Sequence, residues 1–269
     1  MVSGTALHGV VTTRVLQEEK RNEFIADMLA ILGDCRMFLL YDTGDTTTST
    51  SEDRNARTIT HDATIGSNLT GKNWGYTREM DGSADQGDVP DNADFSFGDG
   101  ANDSPFSVVA LVDTDVTNAK GVILSKWSLA SAAELREWQC YMDANGDPTL
   151  ELYDESANAA IGRRDDTPLV ADTFTLLGFT YDGSGANTGV SVFLNAVLAD
   201  DNDVSTGTYV AMENTATVLQ VGYDLDTTPA DANLWNGDVG FVALCAKELT
   251  VDEMWRIKEL VNGFYGLTL

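Results

Sequence analysis

A retaining glycoside hydrolase needs two carboxylates on one face, about 5–5.5 Å apart, one to attack and one to protonate the leaving oxygen. On a strand, side chains at i, i+2 and i+4 share a face. The nearest arrangement in this chain is Glu151-Leu152-Tyr153-Asp154-Glu155. Alternation puts Glu151, Tyr153 and Glu155 on one side and Asp154 on the other, which reads as an exposed strand end. No hydrolytic pair is expected there. The two histidines, His8 and His61, sit in no recognisable triad, and no Ser or Cys stands in a nucleophile-elbow context. No phosphate-cradling Gly-rich loop is present. Asp143-Ala144-Asn145-Gly146-Asp147 starts like a Ca²⁺ loop, but its Gly stands fourth rather than sixth, and Asp154 rather than Glu fills position twelve. Asn-Gly between two strand-like runs predicts a hairpin turn instead. Sugar binding calls for aromatic faces beside polar groups. Trp138 and Trp235 lie in strand-like runs and are expected in the core, whereas Trp74 and Tyr223 lie near loops and are the stacking candidates.

Charge narrows the partners. The chain has 269 residues, with 43 Asp plus Glu against 16 Lys plus Arg, a net charge of −27. Such a surface repels phosphate backbones and anionic membranes, so neither nucleic acid nor membrane is expected as a partner. Asp supplies 30 of the acids, and salt would screen their mutual repulsion. Cys35, Cys140 and Cys245 are isolated, so no Cys-x-x-Cys metal or redox motif exists. Cys140 and Cys245 are expected as reduced core residues. Residues 1–11 carry neither a basic region nor a long apolar run. No secretory leader is expected, and synthesis in a host cytoplasm is.

The elements that would position these residues follow from periodicity. Phe24, Ile25, Met28, Leu29 and Leu32 recur at helical spacing, predicting a helix over 14–32, with Thr12 or Thr13 as cap and Gly33 as its end. It is either a helix packed on the sandwich edge or an attachment arm. Strands are expected over 36–41, 106–112, 121–127, 137–142, 149–153, 174–181, 190–198, 219–222 and 235–244. Short strands with turns every 8–12 residues argue for an all-β sandwich. Thr250 with Glu253 makes a capping box, with Leu249 and Met254 at the staple positions, and Gly263 can close the final helix.

The order of these segments carries a resemblance. Phe174-Thr175-Leu176-Leu177-Gly178-Phe179-Thr180-Tyr181-Asp182-Gly183 is followed by Val190-Ser191-Val192-Phe193-Leu194-Asn195. Leu219-Gln220-Val221-Gly222 and Trp235-Asn236-Gly237-Asp238-Val239-Gly240-Phe241 come next. Together they resemble the laminin-G-like, concanavalin-A-like lectin and glucanase jelly rolls. Asp81-Gly82, Asp85 and Val89-Pro90-Asp91 resemble the opening motif of that group, with Met80 replacing its usual aromatic, and Phe106-Ser107-Val108-Val109-Ala110-Leu111 resembles its next strand. The resemblance implies an all-β, two-sheet antiparallel jelly roll over 36–269, a helical arm over 1–35 and a short C-terminal helix. It also implies Ca²⁺ at one rim, held by acids after the Leu219–Gly222 segment, here Asp224 and Asp226, with Asp238, Asp81 and Asp85 in the other matching motifs. The glucanases of this fold carry two Glu around an Asp on one strand, which this chain lacks.

Three functions fit these residues. The first is a non-enzymatic virion protein of a tailed virus, a head decoration, fibre or tail-surface component. Its arm would hold it to other virion proteins and to symmetry mates in a homo-oligomer, with capacity for surface glycans. The second is a free carbohydrate-binding or adhesion module, and the third a glycoside hydrolase of the same fold.

Overall fold

Phe106–Val112 is apolar at six of its seven positions and buried at all seven. A strand covered on both faces must lie between two other layers. In the computed structural model, which describes residues 5–41, 48–61, 69–129, 134–225 and 231–269, this is where it lies. Phe106, Val108, Ala110 and Val112 point into a core shared with a second sheet. Val109 and Leu111 point the other way, into a layer filled by two helices.

Among the described residues the first sheet has eight strands. From one edge it runs Val197–Leu198, Val190–Leu194, Thr175–Tyr181, Phe106–Val112, Asn236–Cys245, Gly75–Asp81 and Leu69–Lys72. Cys35–Leu40 pairs with the far half of Asn236–Cys245. The second sheet has eleven strands. Its spine runs Asn202–Thr206, Ala159–Arg164, Pro148–Asp154, Leu135–Met142, Gly121–Ser128, Leu219–Val221, Gly87–Val89, Thr58–His61 and Thr48–Thr50. Pairing is antiparallel throughout, apart from one short parallel contact, Leu225 with Ser128. This is the expected two-sheet jelly roll.

Local chemistry explains the connections. Asn195 and Ala196, at φ 51° and 65°, form the two-residue left-handed turn between Val190–Leu194 and Val197–Leu198. Residues 143–147 form a hairpin turn. The Asp143 and Gly146 amides donate to Asp147 O and Asp143 O, and Asp143 Oδ1 accepts from the Asn145 amide at 2.7 Å. Cys35, Cys140 and Cys245 are all buried thiols, and Trp138 and Trp235 are core residues.

The first helix, α1 (Thr5–Leu32), already runs nine residues before the expected Arg14. Thr12 and Thr13 lie inside it rather than capping it, because no Pro or Gly pair interrupts the preceding residues. Gly33, at φ 67°, ends it as expected, its amide donating to Leu29 O. Phe24, Ile25, Met28, Ile31 and Leu32 bury against the outer face of the eight-stranded sheet, so this half of α1 belongs to the sandwich. No residue of 15–23 is buried.

The second helix, α2 (Val251–Tyr265), has the expected capping box, with Leu249 and Met254 buried. It runs past Gly263 and closes at Gly266, φ 68°, because Phe264 and Tyr265 fill the outer core first. No helix among the described residues is long and apolar enough to cross a membrane.

Candidate functional site

The tight turn at residues 73–74 joins two strands in which Lys72 pairs with Gly75. Asn73 adopts φ 50°, and its Nδ2 donates to Gly263 O at 2.8 Å. The Trp74 amide donates to Phe264 O at 2.9 Å. Gly75 permits this docking, since a Cβ there would stand 2.5 Å from a Tyr265 ring carbon. The hairpin tip thus satisfies carbonyls that the end of α2 leaves unpaired, and it fixes the Trp74 indole beside the helix.

Across from the tip, α1 presents Lys20, Glu23, Phe24 and Asp27, spaced i, i+3, i+4 and i+7 and so on one face. Together with Trp74, Glu259, Leu260, Gly263 and Phe264 they line a groove of about 270 Å³. That is close to the lower end of small-ligand sites, roughly 300 Å³. The Phe24 and Phe264 rings stack below it at 4.2 Å. Lys20 Nζ pairs with Glu23 at 2.7 Å, while Asp27 and Glu259 make no ion pair among the described residues. Gly263 sits inside α2 although Gly costs about 1 kcal/mol there relative to Ala. A Cβ at Gly263 would meet nothing within 4 Å, so a larger side chain there would project into open space at the groove.

Tyr223, the other stacking candidate, is only 2% exposed. Its hydroxyl donates to Asp88, so its ring offers no open face. Asp224 is buried and accepts from Lys120 Nζ at 3.1 Å and from Asn233 Nδ2 at 2.8 Å. Lys120 also donates to Gln139 Oε1 at 2.8 Å, and Gln139 Nε2 to Glu151 Oε2 at 2.7 Å. The polar groups around Asp224 and Glu151 therefore satisfy one another. Glu155, at the end of the same run, forms a bidentate pair with Arg136, at 2.7 and 2.8 Å. Asp154, on the opposite side, accepts from the Ala157 and Val210 amides.

Among the described residues, the carboxylates assigned to Ca²⁺, Asp81, Asp85, Asp224 and Asp238, are not gathered into one ligand set. Asp81 accepts from Ser83 and the Ala84 amide, Asp85 from the Asp81 amide, and Asp224 from Lys120 and Asn233. Asp226 lies outside the described residues. Among the described residues, the acidic trio whose oxygens come within 4.8 Å of one another is Asp165, Asp166 and Asp201.

Asp238 has a different set of neighbours. The Asp113 amide donates to Asp238 O, the Asp115 amide to Asn236 O, and the Asp172 amide to Thr114 O. Burial, then the charges of Asp238, Asp115 and Asp172, push the Asp113 carboxyl up to about 6. Asp113 Oδ1 is buried with no hydrogen-bond partner among the described residues. The folded-state value exceeds the ordinary one of 3.8, so the native state binds this proton more tightly than the unfolded chain. Asp113 therefore costs stability above about pH 6, and the cost fades as pH falls through 6 towards 4. Asp113→Asn is expected to stabilise by about 1–2 kcal/mol at pH 8, a figure reduced for solvent screening, and by nothing near pH 4. Thermal unfolding across that range checks it. An equal gain at both ends would mean that titration of Asp113 is not the cause.

No protein-family model matches the chain, and no curated protein matches it. Solved structures do. The botulinum neurotoxin type G receptor binding domain superposes with TM-score 0.58 at 11% identity, over 88% of this chain and 55% of that one. The botulinum neurotoxin serotype D ligand binding domain, in complex with N-acetylneuraminic acid, gives 0.56 at 13%, over 87% and 52%. Domain 4 of an extracellular arabinanase from Geobacillus stearothermophilus, in complex with arabinotriose, gives 0.55 at 14%, over 84% and 98%. This chain thus spans about half the length of the neurotoxin chains it matches. At these identities the likeness shows the fold, a two-sheet jelly-roll sandwich.

Proposed function

We propose that this domain is a non-catalytic carbohydrate-binding module whose sugar site is the Trp74 groove. The observation that carries the reading is a half-buried tryptophan, held by a docked hairpin tip, over a groove edged by Asp27 and Glu259, which make no ion pair among the described residues. Sugar rings present apolar C–H faces to aromatic rings and hydroxyls to carboxylates, and the groove offers both. Two of the similar structures are themselves complexes with sugars, N-acetylneuraminic acid and arabinotriose. Screening an immobilised glycan panel tests the reading. Binding to at least one oligosaccharide, lost in Gly263→Leu because the new side chain fills the groove, is the expected result. No hit at millimolar glycan removes the reading.

The reading includes Ca²⁺ as a rim ion held by Asp113 and Asp238, since a cation relieves their repulsion as a proton does. Calorimetric titration with CaCl₂ at neutral pH would give binding heat that Asp113→Asn abolishes, and no heat would remove the ion from the account.

The wider setting we propose is a particle surface, that of a tailed virus, where α1 joins the domain to other virion proteins and to copies of itself. Support comes from residues 15–23 of α1, none of which is buried, with Val15 and Leu16 49% and 42% exposed. Co-sedimentation with intact particles in a density gradient is expected, with loss on removal of residues 1–19. Protein found only at the top of the gradient would end this part of the reading and leave the sugar site standing.

A further inference from the structure

We infer that the groove selects sugars bearing a protonated amine, glucosamine-type oligosaccharides, over neutral and anionic ones; the inference rests on the reading of the groove as a sugar site. Three carboxylates line it, Glu23, Asp27 and Glu259, against one ammonium, Lys20. That ammonium is already committed to Glu23 at 2.7 Å. Asp27 on α1 and Glu259 on α2 make no ion pair among the described residues, and both line the groove with Trp74.

Each partner class meets this set differently. A sugar ammonium makes charge-assisted hydrogen bonds to carboxylates, shorter and stronger than those of a hydroxyl. Its charge is also attracted by an indole face. A neutral sugar can use the indole and accept hydration at the carboxylates, so it binds without the added charge term. A sialic or uronic acid brings a carboxylate towards two uncompensated carboxylates on a chain of net charge −27, and long-range repulsion slows its approach as well. A lysine-rich peptide could satisfy the charges, but it has no flat ring to lay on Trp74.

The test measures affinity by calorimetry for a glucosamine tetramer, its fully N-acetylated counterpart, sialyllactose and tetralysine, at about pH 6, where a sugar amine is protonated. The glucosamine tetramer is expected to bind about tenfold or more tighter than the N-acetylated one, with sialyllactose undetected; a tenfold ratio is what one added charged contact supplies. In the Asp27→Asn, Glu259→Gln double variant the ratio of the two affinities should fall to near unity, because the amides can still bond sugar hydroxyls but carry no charge to favour an ammonium. Both residues are exposed, so circular dichroism should be unchanged. Equal affinity for the two tetramers in the native protein overturns the amine preference and leaves the sugar site intact. No affinity for any sugar overturns both. Tetralysine binding as tightly as the glucosamine tetramer, and indifferent to Trp74→Ala, overturns the sugar site in favour of a basic-peptide site.

Discussion

Replacing Lys126 by Met lowers the unfolding free energy by about 3–5 kcal/mol, the cost of leaving a buried charge unpaired. Lys126 and Glu137 are both fully buried, their charges 2.6 Å apart. Lys126 Nζ also reaches Asp91 at 3.0 Å and donates to Thr215 O at 2.6 Å. Glu137 Oε1 accepts from the Thr215 amide and hydroxyl, at 2.7 and 2.8 Å. Its Oε2 has no hydrogen-bond partner among the described residues. The pair thereby ties the irregular segment around Thr215 to the second sheet. Asp103 holds the same segment a few residues earlier, accepting from the Tyr209 hydroxyl and the Met212 amide.

Burial already raises the Glu137 carboxyl above its ordinary value, opposed by Lys126. Without Lys126 it rises further. The penalty in Lys126→Met is therefore full above that raised value and shrinks as pH falls through it. A Lys126→Met, Glu137→Leu double variant should recover most of the loss, because matched apolar replacements leave no orphan charge. Urea unfolding of the three proteins decides this. A single-variant loss under about 1 kcal/mol would mean that the pair is solvated, as exposed pairs are.

Trp74→Ala is expected to lower affinity for a bound oligosaccharide by a factor of about ten to a hundred, the range of a central aromatic anchor. Stability should fall far less, because Trp74 packs at the margin of the outer core and its backbone bond to Phe264 O does not involve the side chain. Trp74→Phe should retain part of the affinity, since a smaller ring still offers a stacking face. Unchanged affinity in Trp74→Ala would place the sugar elsewhere.

Much of the fold was legible because its signals are local. The Asn145-Gly146 hairpin, the Thr250–Glu253 box and the Gly33 stop each follow from backbone chemistry within a few residues. The N-terminal part of α1 was not legible, because Thr12 and Thr13 are cap-forming residue types that here lie inside a continuing helix. The end of α2 was set three residues beyond Gly263 by the burial of Phe264 and Tyr265, a tertiary effect.

The site was legible only in part. Trp74 stood out as a loop aromatic, but its groove joins residues near positions 20–27 and 259–264, far apart in the chain. The i, i+3, i+4, i+7 set Lys20, Glu23, Phe24 and Asp27 was a usable signal, since it puts charge around one aromatic on a helix face. Tyr223 shared the loop setting of Trp74 and yet is buried, because whether a loop aromatic is covered depends on packing that adjacent residues do not reveal. Asp113 meets Asp238 from a neighbouring strand and Asp172 from another loop, which no short motif could disclose.

The most direct measurement is the amide and indole nuclear magnetic resonance spectrum during titration with the best oligosaccharide from the glycan panel. The account predicts that the Trp74 indole and the Gly263 and Phe264 amides shift first and saturate together. Shifts confined to the outer face of the second sheet, around Tyr141, Glu151 and Lys120, with Trp74 unmoved, would contradict it.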